Sequence, residues 1–260
     1  MKQFATKSAL MRFMAVILLT MGTLSASAQY YMNIQKNDGT KTQYVVNDID
    51  SIWFTSSTVA GHEYVDLGLS VKWATCNVGA KKPEQYGNLY SWGETETKNE
   101  FEARTYKWYS GMIYVTKYCS NSTYGTVDNK TTLDPADDVA CVKWGGGWRM
   151  PTKDELEELV NNCTLVWTTM NGINGCLITS KKEGYTDRSI FIPAAGFKVN
   201  DFSEVGTCGI IWSSTLYVHK SDNGREMPPN YANMLNLDPD ERGLNMGDRH
   251  AGFSIRPVCP

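Results

Sequence analysis

The run Gly145-Gly146-Gly147-Trp148-Arg149-Met150-Pro151-Thr152-Lys153-Asp154-Glu155-Leu156-Glu157-Glu158-Leu159-Val160-Asn161-Asn162-Cys163 carries the clearest structural instruction in the chain. Glycine tolerates the backbone angles of tight turns, and the proline that follows stands one residue ahead of a threonine. Thr152 and Glu155 have capping-box spacing, with Asp154 and Glu155 in the first turn, where the helix dipole favours negative charge. Leu156, Leu159, Val160 and Cys163 fall at i, i+3, i+4 and i+7, so the spacing predicts a helix over 152–162 with a single buried stripe. Its four acids then cap and solvate the helix. Nothing separates them from ordinary helix-start chemistry, which argues against a pair of catalytic carboxylates.

Outward from this helix the chain reads as strands and turns. Tyr31, Met32 and Ile34, a turn at Asn37-Asp38-Gly39, then Tyr44, Val45 and Val46 predict a β-hairpin. A further short strand at 48–54 and a polar linker over 55–61 follow. A hairpin of that size is marginal alone and needs something to pack on. Residues 63–74 alternate loosely, as strands do, whereas 77–147 is polar, aromatic and glycine-rich with few periodic runs, and loops of that length are usually functional or carry small elements of their own. Beyond the helix, 189–196, 209–214 and 252–258 read as strands, and the polar stretch 219–250 reads as a loop. The expected fold class is α+β. The 22 Gly, 14 Tyr and 8 Trp favour turns and strands over helices.

At the start, Lys2, Lys7 and Arg12 precede the apolar run 13–19 and the small-residue stretch Ser25-Ala26-Ser27-Ala28. This is the order of a cleavable signal peptide over 1–28, and the apolar run is far short of the roughly 20 residues of a spanning helix. The expectation is an exported protein, periplasmic, surface-bound or secreted, with no membrane insertion after cleavage. Cleavage removes three bases and no acid, taking the formal charge from −3 to −6. An acidic chain without Lys/Arg runs has no footprint for nucleic acid or an anionic membrane. Domain limits follow: signal peptide 1–28, hairpin and linker 29–58, main domain 62–260.

Seven cysteines in an oxidising compartment make disulfides plausible, and the odd count leaves at least one thiol unpaired within the chain. No Cys-x-x-Cys is present, and His62, His219 and His250 lie far apart outside any ligand spacing. A nucleophile elbow and a phosphate loop are also missing. No cofactor is expected. The turn Asp238-Pro239-Asp240-Glu241 offers oxygens for calcium, but that ion wants six to eight around it, so a solvated acidic turn is the simpler reading.

The order of motifs around the opening run is similar to that of a known family. Val65–Ala80 (VDLGLSVKWATCNVGA), Gly87–Thr95 (GNLYSWGET), the run 145–152 with its acidic helix, Ile190–Phe197 (IFIPAAGF), Trp212-Ser213-Ser214-Thr215 and Gly252–Val258 (GFSIRPV) together resemble the Fibrobacter succinogenes major paralogous domain family over residues 62–259. That resemblance implies a C-type-lectin-like fold in secreted and surface proteins of Bacteroidetes and Fibrobacteres, with a biochemical role mostly unassigned. Strands near the two ends of such a domain usually lie side by side, which makes Cys76 and Cys259 the implied disulfide pair. The same fold class includes formylglycine-generating enzymes, but their closely placed late cysteine pair has no match in Cys208 and Cys259, so the expected role is non-catalytic. It also includes proteins that display a variable ligand face in the region matching 219–250. There Asn230, Tyr231, Asn233, Asn236, Asn245, Asp248 and Arg249 combine adaptable hydrogen bonding with rigid contact area, as paratopes do. They form the expected face for a carbohydrate or protein ligand, anchored by Tyr231 and Arg249. Trp148 and Trp212 are expected in the core, and Arg256 is expected to pin a loop carboxylate. A structural alternative makes 30–54 a docking hairpin of a surface assembly.

Overall fold

Hairpins set the architecture. The structure, a computed structural model, describes residues 30–35, 39–48, 57–111, 114–200, 202–219, 224 and 227–260. The chain divides into two compact units, 1–56 and 57–260. In the first, β1 (Tyr31–Gln35) and β2 (Lys41–Val45) pair antiparallel, with Tyr31 opposite Val45 and Gln35 opposite Lys41. The expected hairpin is therefore present. A 3₁₀ turn at Val46–Asp48 follows it. The expected signal peptide, Asn37 and Asp38 of the turn, and 49–54 of the further strand lie outside the described residues.

The second unit starts earlier than the sequence suggests. β3 (Thr58–Val59) pairs with β4 (His62–Val65) around Ala60 and Gly61, both at positive φ (48° and 81°), the geometry of a two-residue hairpin turn. Thr58 and Val59, expected as linker, thus belong to the main body. The order continues through β5 (Lys72–Ala74), β6 (Tyr109–Ser110), β7 (Tyr114–Val115), α1 (Val139–Trp144), α2 (Lys153–Asn162), β8 (Cys163–Met170), β9 (Ile173–Ser180) and β10 (Ser189–Pro193). It closes with β11 (Lys198–Val199), β12 (Phe202–Ser203), β13 (Gly209–Leu216), β14 (Tyr231–Leu237), β15 (Arg242–Asp248) and β16 (Val258–Cys259). The larger sheets are β16-β5-β4-β3, β10-β9-β8 and β13-β14-β15. The fold is α+β and sheet-rich, with two α-helices among the described residues, neither long and apolar enough to cross a membrane.

α2 begins as its sequence dictates. Thr152 accepts from the Glu155 N–H at 3.2 Å, and Glu155 accepts from the Thr152 N–H at 2.8 Å. Leu156 and Leu159 are buried. Two of the acids also bind outside the helix. Glu155 forms a forked pair with Arg149, and Glu158 receives the Ser70 N–H and hydroxyl. Burial would raise Glu155, yet Arg149 and the Thr152 N–H hold it below the ordinary carboxylate range.

The stretch 219–250, expected as a loop, is a long hairpin for most of its length. β14 pairs with β13 on one side and β15 on the other. Its residues Ala232 to Leu235 are buried on both faces, so no apolar–polar alternation announces a strand. Trp212 in β13 is fully buried, its ring 4.2 Å from Phe253 and its N–H on the Tyr90 carbonyl at 2.9 Å. A Cβ at Gly247 of β15 would lie 2.3 Å from Phe253 and 2.9 Å from Trp212, so only glycine lets the strand sit on those rings. Trp148, also expected in the core, is buried and donates to the Val59 carbonyl at 2.8 Å.

Residues 252–258 form a seam and not one strand. Phe253 bridges to Tyr90, Ser254 to Ile211, and Val258 to both Arg149 and Trp73. Arg256 within it is fully buried and meets no carboxylate. Its guanidinium donates to Asn77 Oδ1, the Ala74 carbonyl and the Phe191 carbonyl at 2.8–2.9 Å, so it pins backbone where a carboxylate was expected. Desolvation lowers its pKa to about 10.

All seven cysteines are free thiols. β16 does lie against β5, but the register places Cys259 opposite Lys72 and Val258 opposite Trp73. Cys76 lies two residues past the end of β5 at Ala74, whereas Cys259 faces Lys72 at its start, so the two are not placed opposite one another. Its Sγ meets the Ala80 carbonyl at 3.3 Å. The implied pairing of Cys76 with Cys259 is not formed.

Candidate functional site

The seven residues expected to form a ligand face are divided by the hairpin that carries them. Tyr231 stands opposite Asp248, while Asn236 and Asn245 stand opposite Gly243 and Met234. Alternation along a strand therefore sends Tyr231 and Asp248 to one face and Asn236 and Asn245 to the other. Asn233 is buried and donates its amide to the Thr215 and Leu216 carbonyls at 3.2 and 3.0 Å. These carbonyls sit where β13 departs from its register with β14, so Asn233 plugs a bulge. Asn236 is held by Asp238 at 2.7 Å.

Arg249 is the largest departure from expectation. It is 0 % exposed. Its guanidinium donates to the Tyr106 hydroxyl at 3.0 Å and to the carbonyls of Pro229 and Lys117 at 2.9 and 3.0 Å. It also lies 4.8 Å from the centre of the Trp92 ring and near Tyr106 and Tyr118, where ring quadrupoles replace an anionic partner. Arg249 is thus a core post that ties loops 92–118 and 229–230 to the end of β15, with its donors spent inside the protein. It is not a ligand anchor.

What this post holds in place is a patch. The Arg249 backbone N–H donates to the Asn230 carbonyl at 2.9 Å, which fixes Asn230 beside the Tyr231–Asp248 pair. His250 follows, its ring 6.5 Å from Tyr109 in β6. Burial raises the Tyr109 hydroxyl to about 12, Asp248 and Tyr231 push the same way, and Arg249 opposes them, so all four share one neighbourhood. Tyr231 is 37 % exposed, and Asn230, Asp248, His250 and Tyr109 are half-buried. Two atoms in this patch, Asn230 Oδ1 and His250 Nδ1, are closed to solvent and have no hydrogen-bond partner. An unmet buried polar atom costs about 1–3 kcal/mol.

Tyr109 and His250 escape sequence reasoning because one lies in a glycine-rich loop region and the other has no ligand-spaced neighbour. The available signal is the short hairpin Tyr109-Ser110-Gly111 to Tyr114, with tyrosines on both strands. The three histidines serve three aromatic partners: His62 stacks on Trp144 at 3.7 Å, His219 on Tyr217, and His250 faces Tyr109. Ser91 reaches His250 only through its backbone carbonyl, at 2.7 Å.

The acidic turn at the other end of the hairpin is internally engaged. Asp238 accepts the N–H groups of Asp240 and Glu241 and the amide of Asn236. The Glu241 N–H is the strongest of these influences, and together they hold the Asp238 carboxyl below the usual range. A cleft of about 420 Å³ opens beside it, floored by Phe197, Cys208 and Ile210 and rimmed by Glu204, Asp240 and Glu241. Among the described residues no group of three or more His, Cys, Asp or Glu is placed to hold a metal ion. No protein-family model, curated protein or solved structure matches the chain.

Proposed function

We propose that this chain is an exported, non-catalytic binding module of C-type-lectin-like architecture, related to the major paralogous domain family, which holds a carbohydrate or protein ligand at the Tyr231 end of the β14–β15 hairpin. The observation that carries this reading is the convergence of Tyr109, Asn230, Tyr231, Asp248 and His250 on a fully buried arginine post. Tyrosine offers a large, stiff, amphipathic surface at low entropy cost, and asparagine and aspartate add hydrogen bonds of adjustable geometry. Mounting them on a rigid post lowers the ordering cost of binding. The lectin-like architecture draws support from β5 and β16, strands from opposite ends of the main unit that lie side by side.

The test is binding of the purified protein to glycan and host-protein arrays, repeated with Tyr231→Ala combined with Tyr109→Ala. The expected outcome is at least a tenfold loss of affinity with an unchanged far-UV spectrum. Unchanged affinity in the folded double variant would remove the patch from the ligand face.

One observation favours a second reading, a subunit that docks through its first unit. Among the described residues β1 and β2 form a two-stranded sheet, and Tyr30, Tyr31, Tyr44 and Val46 around it are exposed. Such a hairpin gains stability by adding to a partner sheet. Deleting residues 29–56 is expected to release the protein from a surface fraction while leaving the main unit folded. Retention in that fraction would count against docking.

A further inference from the structure

The sheet β10-β9-β8 has two edges of different character, and the hydrogen-bond phase of its strands sets which main-chain groups each edge presents. Asn171 and Gly172, both at positive φ, make the two-residue turn that closes on a bonded pair, Met170 with Ile173. Bonded and non-bonded pairs alternate along an antiparallel ladder, so Cys163, Leu165, Trp167 and Thr169 turn their N–H and C=O groups away from β9. Two bonds fix the same phase from the other end. Lys181 donates its N–H to the Asn162 carbonyl on the β8 side, and Ser180, opposite Cys163, donates to the Arg188 carbonyl on the β10 side. Among the described residues the four outward-turned residues of β8 have no main-chain partner beyond β9. Phe191 and Pro193 turn outward from β10 by the same alternation, but there the edge is closed. The Phe191 carbonyl takes the Arg256 guanidinium at 2.8 Å, and Pro193 has no N–H and gives its carbonyl to the Ala195 N–H at 2.8 Å.

At β15, an edge of the other large sheet, Arg242 and Asp248 put a charge at each end of the strand. β8 has neither kind of protection. Its eight residues hold an unbroken register with β9 and include no charge, proline or glycine, and Val166 is 49 % exposed. An uncharged edge of that length is a template for another strand. β8 is complementary to itself. Antiparallel pairing about a two-fold axis at Val166 sets Leu165 against Trp167 and Cys163 against Thr169, each in both directions, so four pairs of outward-turned residues exchange two main-chain bonds apiece. Moving the axis by one residue leaves three such pairs. The alternate positions bring Val166 onto Val166 and Thr164 onto Thr168, pairs that favour a sheet, and no like charges meet. The two-fold uses both open edges and leaves the closed β10 edges outside, so association ends at two copies. We infer that β8 is the interface of a homodimer in which two three-stranded sheets join into one of six.

The experiment is sedimentation velocity of the purified protein up to millimolar concentration. The expected result is a monomer–dimer equilibrium with no larger species. Val166 stands at the axis with its side chain exposed, so Val166→Lys and Val166→Glu should each keep the far-UV spectrum of the wild type. Each should weaken the dimer at least roughly tenfold, because like charges then face one another across the axis. An equimolar mixture of the two variants should restore dimerisation, and Val166→Thr, which keeps the branched shape, should stay dimeric. A monomer at every concentration overturns the inference and leaves the edge to a strand of another protein. Species that grow beyond two copies overturn the closed two-fold. A dimer indifferent to Val166→Lys, or one that the mixture fails to restore, places the contact elsewhere and overturns it as well.

Discussion

Both ends of the β14–β15 hairpin are rich in polar side chains, but they use them differently. At the Asp238 end, the carboxylate is taken up by two backbone N–H groups and the Asn236 amide, which close the turn. At the Tyr231 end, the strongest donor set, that of Arg249, is spent inside the core, while Asn230 Oδ1 and His250 Nδ1 are left unmet. A polar residue is therefore available to a ligand only when the fold has not already used it. Side-chain type alone does not separate the two cases.

The sharpest way to break this comparison is at Arg249. Arg249→Leu is expected to lower stability by about 3–5 kcal/mol, because it strands the Pro229 and Lys117 carbonyls in the interior and removes the donor to the buried Tyr106 hydroxyl. Urea denaturation measures this. Stability equal to wild type, with binding lost, would return Arg249 to the surface as an anchor. A smaller effect is expected at the other end, where Asp238→Ala should cost about 1 kcal/mol through lost turn hydrogen bonds and leave ligand binding unchanged. Since the folded carboxyl of Asp238 is held below its unfolded value, near about 3.9, its contribution is complete above that value and disappears as pH falls through the lower folded one. The stability gap between wild type and Asp238→Ala should accordingly close in acid, and a gap that stays constant from neutral pH to pH 2 would contradict the role of the ionised group. The smallest effect on stability belongs to Tyr231→Ala, within about 0.5 kcal/mol in thermal melts for an exposed side chain. A large destabilisation there would make Tyr231 part of the fold and remove the distinction between the two ends.

Local chemistry in the sequence is legible wherever it acts locally. The capping box at Thr152 and Glu155, the hairpin at 31–45 and the strands at 189–193 and 209–216 need only near neighbours to be recognised. The β8–β9 hairpin also carried its sign, Asn171-Gly172 at positive φ between two eight-residue strands, and a search for that dipeptide finds it. α1 is different: six residues are too few to display a helical period, and its cap, Asp138, also takes the Met150 N–H from another segment. β14 and β15 fail as sequence signals because Asn233 sits inside the sheet to close a bulge, a role visible only once β13 is beside it. Asn230, Tyr231 and Asp248 were grouped from the sequence, and the structure places them side by side. Tyr109 and His250 were not, because it takes the tertiary fold to bring residue 109 beside residue 250.

The pairing of β5 with β16 has a consequence in time. Lys72–Ala74 receives its neighbour from Val258 and Cys259, so some 180 residues of chain must be synthesised before that sheet can close. Long-range closure of this kind slows folding, and until it happens the edge of β5 stays open to other chains. Such a protein is expected to fold after synthesis and not during it, with its early segments depending on segments that emerge much later.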